Sequence, residues 1–180
     1  MSDSFPMAPP WRVSRWFNTP VPLALDEMRG RVVALHAFQM LCPGCVSHGL
    51  PQAARLAEVF ARDAFSVIGL HTVFEHHQVM TEAALQAFIH EYRLAFPIGV
   101  DEPDPDDAIP LTMRALQMRG TPSLVLIDKL GRVRLHHFGR LDDMALGAFV
   151  GRLLCEDPPV AGADRVVDQG ACDNQGCRIP

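Results

Sequence analysis

An α/β domain built on a central mixed sheet is what this sequence predicts, and three observations predict it. Val32, Val33, Ala34, Leu35, Ala37 and Phe38 form a nearly continuous apolar run, the kind that a strand covered on both faces requires. Between Phe65 and Val100 the apolar pattern reads strand, helix, strand, an order that implies a right-handed parallel crossover. Two further strand-like segments, Ser123–Asp128 and Arg132–Phe138, are joined by the turn Asp128-Lys129-Leu130-Gly131 and so form an antiparallel hairpin.

Each element follows in order. Residues 1–15 are rich in proline and polar groups without periodicity, and read as a loosely attached arm before a domain spanning 16–157. After the first buried strand comes Cys42-Pro43-Gly44-Cys45. Val46, Leu50, Ala53, Ala54, Ala57 and Phe60 then recur at helical spacing, which predicts a helix to about Arg62. Pro51 removes one hydrogen bond from that helix and crowds the preceding turn, so a distortion is expected at His48–Pro51. Phe65–Val73 is the next strand, Thr81–Leu94 a helix with Thr81 as its N-cap, and Phe96–Val100 a third strand. Asp101–Pro110 holds 5 acids and 3 prolines and reads as a solvated loop, followed by a short helix over Pro110–Met118. Leu146, Phe149, Val150, Leu153 and Leu154 mark a closing helix capped by Asp142, and residues 158–180 form a tail.

Composition narrows the function. The chain has 180 residues, 48% of them hydrophobic, and 16 Lys plus Arg against 21 Asp plus Glu give a formal net charge of −5, so the basic footprint of a nucleic-acid binder is missing. The start of the chain lacks the charged and apolar runs of a secretory signal, and the longest apolar stretch, Val32–Leu41, is about half of the ~20 residues a membrane helix needs. The expected setting is therefore a reducing cytoplasm, away from membranes, where paired cysteines are more often catalytic or metal-binding than structural.

Five cysteines cannot all pair within one molecule. Cys42 falls at a helix N-terminus, where unpaired N–H groups and the helix dipole favour a thiolate. Cys45, one turn further on, is placed to attack a mixed disulfide formed on Cys42. The competing interpretation is half a zinc site made of Cys42, Cys45 and His48, whose remaining ligands would have to come from Cys172 and Cys177 in the tail. The strand, Cys-x-x-Cys, helix context favours redox chemistry, with no cofactor and no metal.

Phe38-Gln39-Met40-Leu41-Cys42-Pro43-Gly44-Cys45, Gly120-Thr121-Pro122-Ser123 and Ile127-Asp128-Lys129-Leu130-Gly131-Arg132-Val133 resemble the thioredoxin-like superfamily. The helix and strand between Phe65 and Val100 resemble the insertion of its TlpA-like, or redoxin (AhpC-TSA-type), branch, which includes the peroxiredoxins. The resemblance covers about residues 16–155. It implies a thioredoxin-like fold and a thiol-disulfide oxidoreductase acting in protein disulfide exchange or antioxidant defence. Its partners would be a protein disulfide or a small disulfide, and an upstream thiol reductant. It also implies that Pro122 is a cis-proline facing the cysteines, and that Thr121, Pro43 and Gly44 meet the incoming substrate. A cis bond is inexpensive only before proline, and a proline opening a strand forfeits no ladder bond.

Departures from the family pattern carry information too. Where peroxiredoxins hold a Pro and a Thr or Ser before the reactive cysteine, this chain has Leu35 and Gln39, which weighs against peroxidase chemistry. His36 stands where thioredoxins place a buried acid that accepts a proton from the second cysteine; a neutral imidazole could do the same, or it could be an ordinary core histidine. His48 matches a position often held by Glu in TlpA-like proteins, and would modulate a thiol if charged and near it. Pro51 lies six residues after Cys45 where the family spacing is five, so one extra residue must be absorbed as a local bulge. His71, Glu75, His76 and His77 read as a solvated loop near the site, and His136 and His137 alternate along a strand and so share no site. Cys172 and Cys177 could close a small loop disulfide and serve as an accessory redox pair, capture a soft metal, or be inert. Cys155 is expected to be a buried small hydrophobe.

Overall fold

The computed structural model describes residues 5–156. The tail from 158 onward, with Cys172 and Cys177, therefore lies outside the described residues. Six strands form one sheet in the order β1-β4-β3-β2-β5-β6. They are β1 (Val13–Phe17), β2 (Val32–Phe38), β3 (Phe65–His71), β4 (Ile98–Asp101), β5 (Ser123–Ile127) and β6 (Val133–Phe138). β2 and β4 both run parallel to β3, while β5 is antiparallel to β2 and to β6, as the crossover and hairpin require. The helices are α1 (Leu50–Val59), α2 (Glu82–Glu91), α3 (Leu111–Ala115) and α4 (Asp143–Cys155). No helix among the described residues is long and apolar enough to cross a membrane.

The unbroken apolar run of β2 has a direct structural cause. Its residues are all buried and alternate between two cores, with Val32, Ala34 and Phe38 on one side and Val33, Leu35 and Ala37 on the other. The first core is covered by Leu50, Ala53 and Leu56 of α1, Leu85 and Ile89 of α2, and Leu146, Val150 and Leu153 of α4. The second lies under Met113 of α3 and the turn carrying Leu25 and Met28. The caps fall as the sequence indicates: the Thr81 hydroxyl accepts from Ala84 N at 3.2 Å, and the Asp142 carboxylate accepts from Met144 N and Ala145 N, each at 3.0 Å.

Three expectations are corrected. The supposed loose arm is docked over its residues 5–15: Ala8 N donates to Gly131 O at 2.9 Å, Val133 N to Pro6 O at 2.8 Å, and Val13 already belongs to β1, which pairs with β4. Trp11 and Trp16 pack edge-on with 6.1 Å between ring centroids, so this strap crosses the second core. Its prolines and one-sided pairing erase the period that would have announced a strand. His71 is not in a loop but at the end of β3, 1% exposed and 5.3 Å from the Phe38 ring centroid. Cys155 is exposed, because the buried stripe of α4 is Leu146, Val150 and Leu153 and Cys155 falls off it.

Candidate active site

β2 ends at Phe38 and feeds the chain through Gln39–Leu41 to Cys42 at the mouth of the next helix. Cys42 N donates to Gln39 O at 3.2 Å, closing the turn, and Val46 N donates back to Cys42 O at 3.1 Å. Cys42 is half-buried. Its Sγ accepts from Cys45 N at 3.2 Å and donates to Thr121 O at 3.4 Å. The backbone N–H of Cys45, in the first turn of the helix, thus points at the outer sulfur.

Cys45 differs in every respect. It is fully buried among apolar side chains. Burial first, and then its interaction with Cys42, pushes its thiol up to about 12, although contacts with the Gln39 backbone and Thr121 work in the other direction. The outer sulfur can thus meet a partner while the inner one stays protonated until a base or a leaving group takes its proton.

The Thr121–Pro122 peptide is cis, and it sets Pro122 directly against the helix that carries the cysteines. Two glycines permit that approach. A Cβ on Gly44 would stand 3.2 Å from Pro122 Cδ, and one on Gly49 would stand 3.1 Å from Pro122 Cβ. Pro43 is exposed beside Gly44, at the rim. Gly44, expected from the sequence to meet the substrate, is where the structure packs Pro122. Gly49 was missed, since the sequence offers no signal linking it to a proline some seventy residues away.

The extra residue before Pro51 is absorbed as a π turn over Cys45–Gly49, in which Leu50 N donates to Cys45 O. The wider turn comes immediately before Pro51, where a regular helix would clash with the proline ring. It also removes His48 from the register the sequence implied. His48 is exposed, its Nδ1 lies 2.6 Å from Ser47 Oγ, and neither thiol has it as a hydrogen-bond partner.

His36 lies in the middle of β2, 3% exposed, on the face that turns toward Cys45. Burial lowers its pKa to about 4, so it is neutral, and its Nε2 has no partner among the described residues. Beside it is a cavity of about 50 Å³ that Gly49, His48, Gln52 and Pro122 also line. The space exceeds the volume a water needs, and its walls are polar. His36 makes no hydrogen bond to either thiol, and the cavity joins it to Gly49 and Pro122 but is lined by neither cysteine. Among the described residues no group of three or more His, Cys, Asp or Glu side chains is arranged to hold a metal, and Gln39, 1% exposed, turns its amide to Glu75 at 3.4 Å.

Comparison with known proteins agrees with this geometry. Residues 8–136 match the family model described as the AhpC/TSA family. The crystal structure of a thioredoxin-like superfamily protein is 52% identical, with 87% of this chain and 100% of that one covered at a TM-score of 0.84. That of a thiol-disulfide isomerase from Corynebacterium glutamicum is 46% identical, covering 83% of this chain and 98% of that one at a TM-score of 0.79. A solution structure of a thioredoxin-like protein in its oxidised form is 20% identical, covers 86% and 97%, has a TM-score of 0.67 and shares the fold. Comparison with curated proteins returned no match.

Proposed function

Because the chain belongs to the AhpC/TSA family, as a thioredoxin-like redoxin, we propose that it exchanges dithiols for disulfides with Cys42 as the attacking sulfur and Cys45 as the resolving one. The observation that carries this is the contrast between the two sulfurs: one half-exposed and held by a helix N–H at 3.2 Å, the other fully buried with its thiol raised to about 12.

The Cys42 thiolate attacks one sulfur of a substrate disulfide; a Cys42–substrate S–S bond forms and the other substrate sulfur leaves as a thiolate. Cys45 then gives up its proton and attacks Cys42. The Cys42–Cys45 disulfide forms and the bound substrate sulfur departs, taking a proton. The substrate has gained two electrons and the protein has lost two, which a thiol reductant returns by the reverse steps. Before attack Thr121 O holds the Cys42 thiol, so the same carbonyl is at hand to pair with the backbone of an arriving peptide beside Pro43 and Gly44. His36 receives the Cys45 proton: it lies on the β2 face that turns toward Cys45, its ring is neutral and its Nε2 has no partner among the described residues, while the polar cavity at its side, which neither cysteine lines, gives the proton an exit. His48, outside hydrogen-bonding range of both sulfurs, is left to order Ser47 at the cavity mouth.

Exchange is favoured over peroxide reduction by Leu35 and Gln39. Both are 1% exposed, and neither gives Cys42 a hydroxyl donor. The test is reduction of a peptide disulfide by the dithiol form. Cys42→Ser should abolish turnover, whereas Cys45→Ser should retain a single attack and stop at the mixed disulfide; equal rates for Cys42→Ser and wild type would refute the assignment.

A further inference from the structure

A second recess lies at the other end of the sheet. A groove of about 350 Å³, within the size range of small-molecule sites, opens beside the first half of β3. It exists because β4 joins β3 late: their register begins at Gly69 with Ile98, leaving Phe65–Ile68 without a strand on that side. Gly69 N donates to Pro97 O at 2.9 Å, and in a parallel ladder the groups two residues earlier face the same way. The N–H and C=O of Val67 are therefore directed into the groove. Val67 is only 5% exposed, so these backbone groups lie in a largely dry place.

The walls are mainly apolar, with Phe65, Val67 and Ile68 as the floor and Ala57, Phe60 and Phe96 along the sides; Asn18 and Ser66 add the uncharged polar groups. Charge is confined to the exposed rim and is unbalanced. Arg31, Arg62 and Arg93 stand there against the single carboxylate of Glu58, and among the described residues none of the three arginines makes an ion pair. A guanidinium presents a planar fork that fits a carboxylate with two parallel hydrogen bonds. An apolar trough rimmed by surplus guanidinium groups is complementary to a molecule with a hydrocarbon body and one carboxylate head.

We propose that this groove is a binding site for an aliphatic monocarboxylate, its chain lying over Phe65 and Phe96 and its head among Arg31, Arg62 and Arg93. The site is independent of the thiol chemistry. Arg31 immediately precedes β2 and Phe65 begins β3, whereas Cys42 follows the far end of β2.

The test uses the full chain and three ten-carbon probes: decanoate, decylamine and 1-decanol. Decanoate should produce saturable amide shifts centred on Ala57, Val67 and Phe96, and a Tm that rises with its concentration. Decylamine and 1-decanol should each bind at least about tenfold more weakly, since they cannot use the arginines. Reversing two exposed charges, Arg31→Glu with Arg93→Glu, should weaken decanoate to a similar degree while leaving peptide-disulfide reduction unchanged. Ala57→Trp, checked for folding by circular dichroism, should block it by filling the groove. No saturable shift, equal binding of decylamine or 1-decanol, or undiminished decanoate binding by the charge-reversed protein would each overturn the proposal.

Discussion

At the scale of single residues, the proposed division of labour between Cys42 and Cys45 rests on their difference in burial. One sulfur reaches the surface and the other is sealed, and the second step of exchange then depends on moving a proton out of an apolar pocket. On the proposed mechanism His36 receives it. Replacing it with leucine should leave the first attack by Cys42 unchanged but slow closure of the Cys42–Cys45 disulfide by about 10²-fold, the lower end of what a positioned base contributes. His36→Asp should restore part of that rate, with a shifted pH profile. Stopped-flow measurement of the two phases separates these effects; equal slowing of both would point to a merely structural histidine. The sequence singled out Cys42, Cys45 and His36 as candidates, and the structure places His36 within β2 and the two cysteines just after its end. The sequence could not show that His48 hydrogen-bonds Ser47 and neither sulfur, because that depends on how the helix absorbs one extra residue.

At the scale of elements, the π turn over Cys45–Gly49 and the Thr121–Pro122 segment form one unit, since the widened helix offers two glycine surfaces to the proline. Gly49→Ala would put a methyl 3.1 Å from Pro122 Cβ, where the helix backbone can yield little. The expected result is a loss of about 1–3 kcal/mol in urea unfolding, the usual result of overpacking, together with slower exchange. An alanine variant as stable and active as wild type would show that the contact is dispensable. Local pattern made the strands, the hairpin and the caps at Thr81 and Asp142 legible, because each rests on a short stretch of chain. β1 and the strap before it escaped notice because their order comes from distant partners. Arg12 N donates to Thr112 Oγ1 at 2.8 Å and Trp11 Nε1 to Leu23 O at 2.6 Å, neither of which leaves a period in the sequence. His71 was misjudged for a related reason: a polar residue ending a strand looks like a loop until Phe38 is seen beside it.

At the scale of the whole molecule, two neutral histidines sit in the core, each lowered by burial to about 4 from an ordinary 6.5. The unfolded chain therefore binds more protons than the folded one between those values, and stability falls as pH drops through that window. Each histidine contributes up to about 1.4 kcal/mol per pH unit. Asp101, which burial pushes up, acts in the opposite sense at the acidic end. Burial also raises Asp128, but hydrogen bonds from Arg132 and Arg134 outweigh it, so its stabilisation is lost only at still lower pH. Urea midpoints should decline from pH 6.5 toward 4, and His71→Leu should flatten the decline; a flat profile in the wild type would contradict the buried, neutral assignment. The same sheet that encloses these histidines presents Cys42 at one end as its only half-exposed thiol among the described residues. The most direct test of the exchange mechanism is mass spectrometry of Cys45→Ser protein after reaction with a disulfide-bonded peptide. The account predicts a stable adduct of one peptide thiol joined through Cys42; an adduct on Cys155 instead, or none at all, would contradict it.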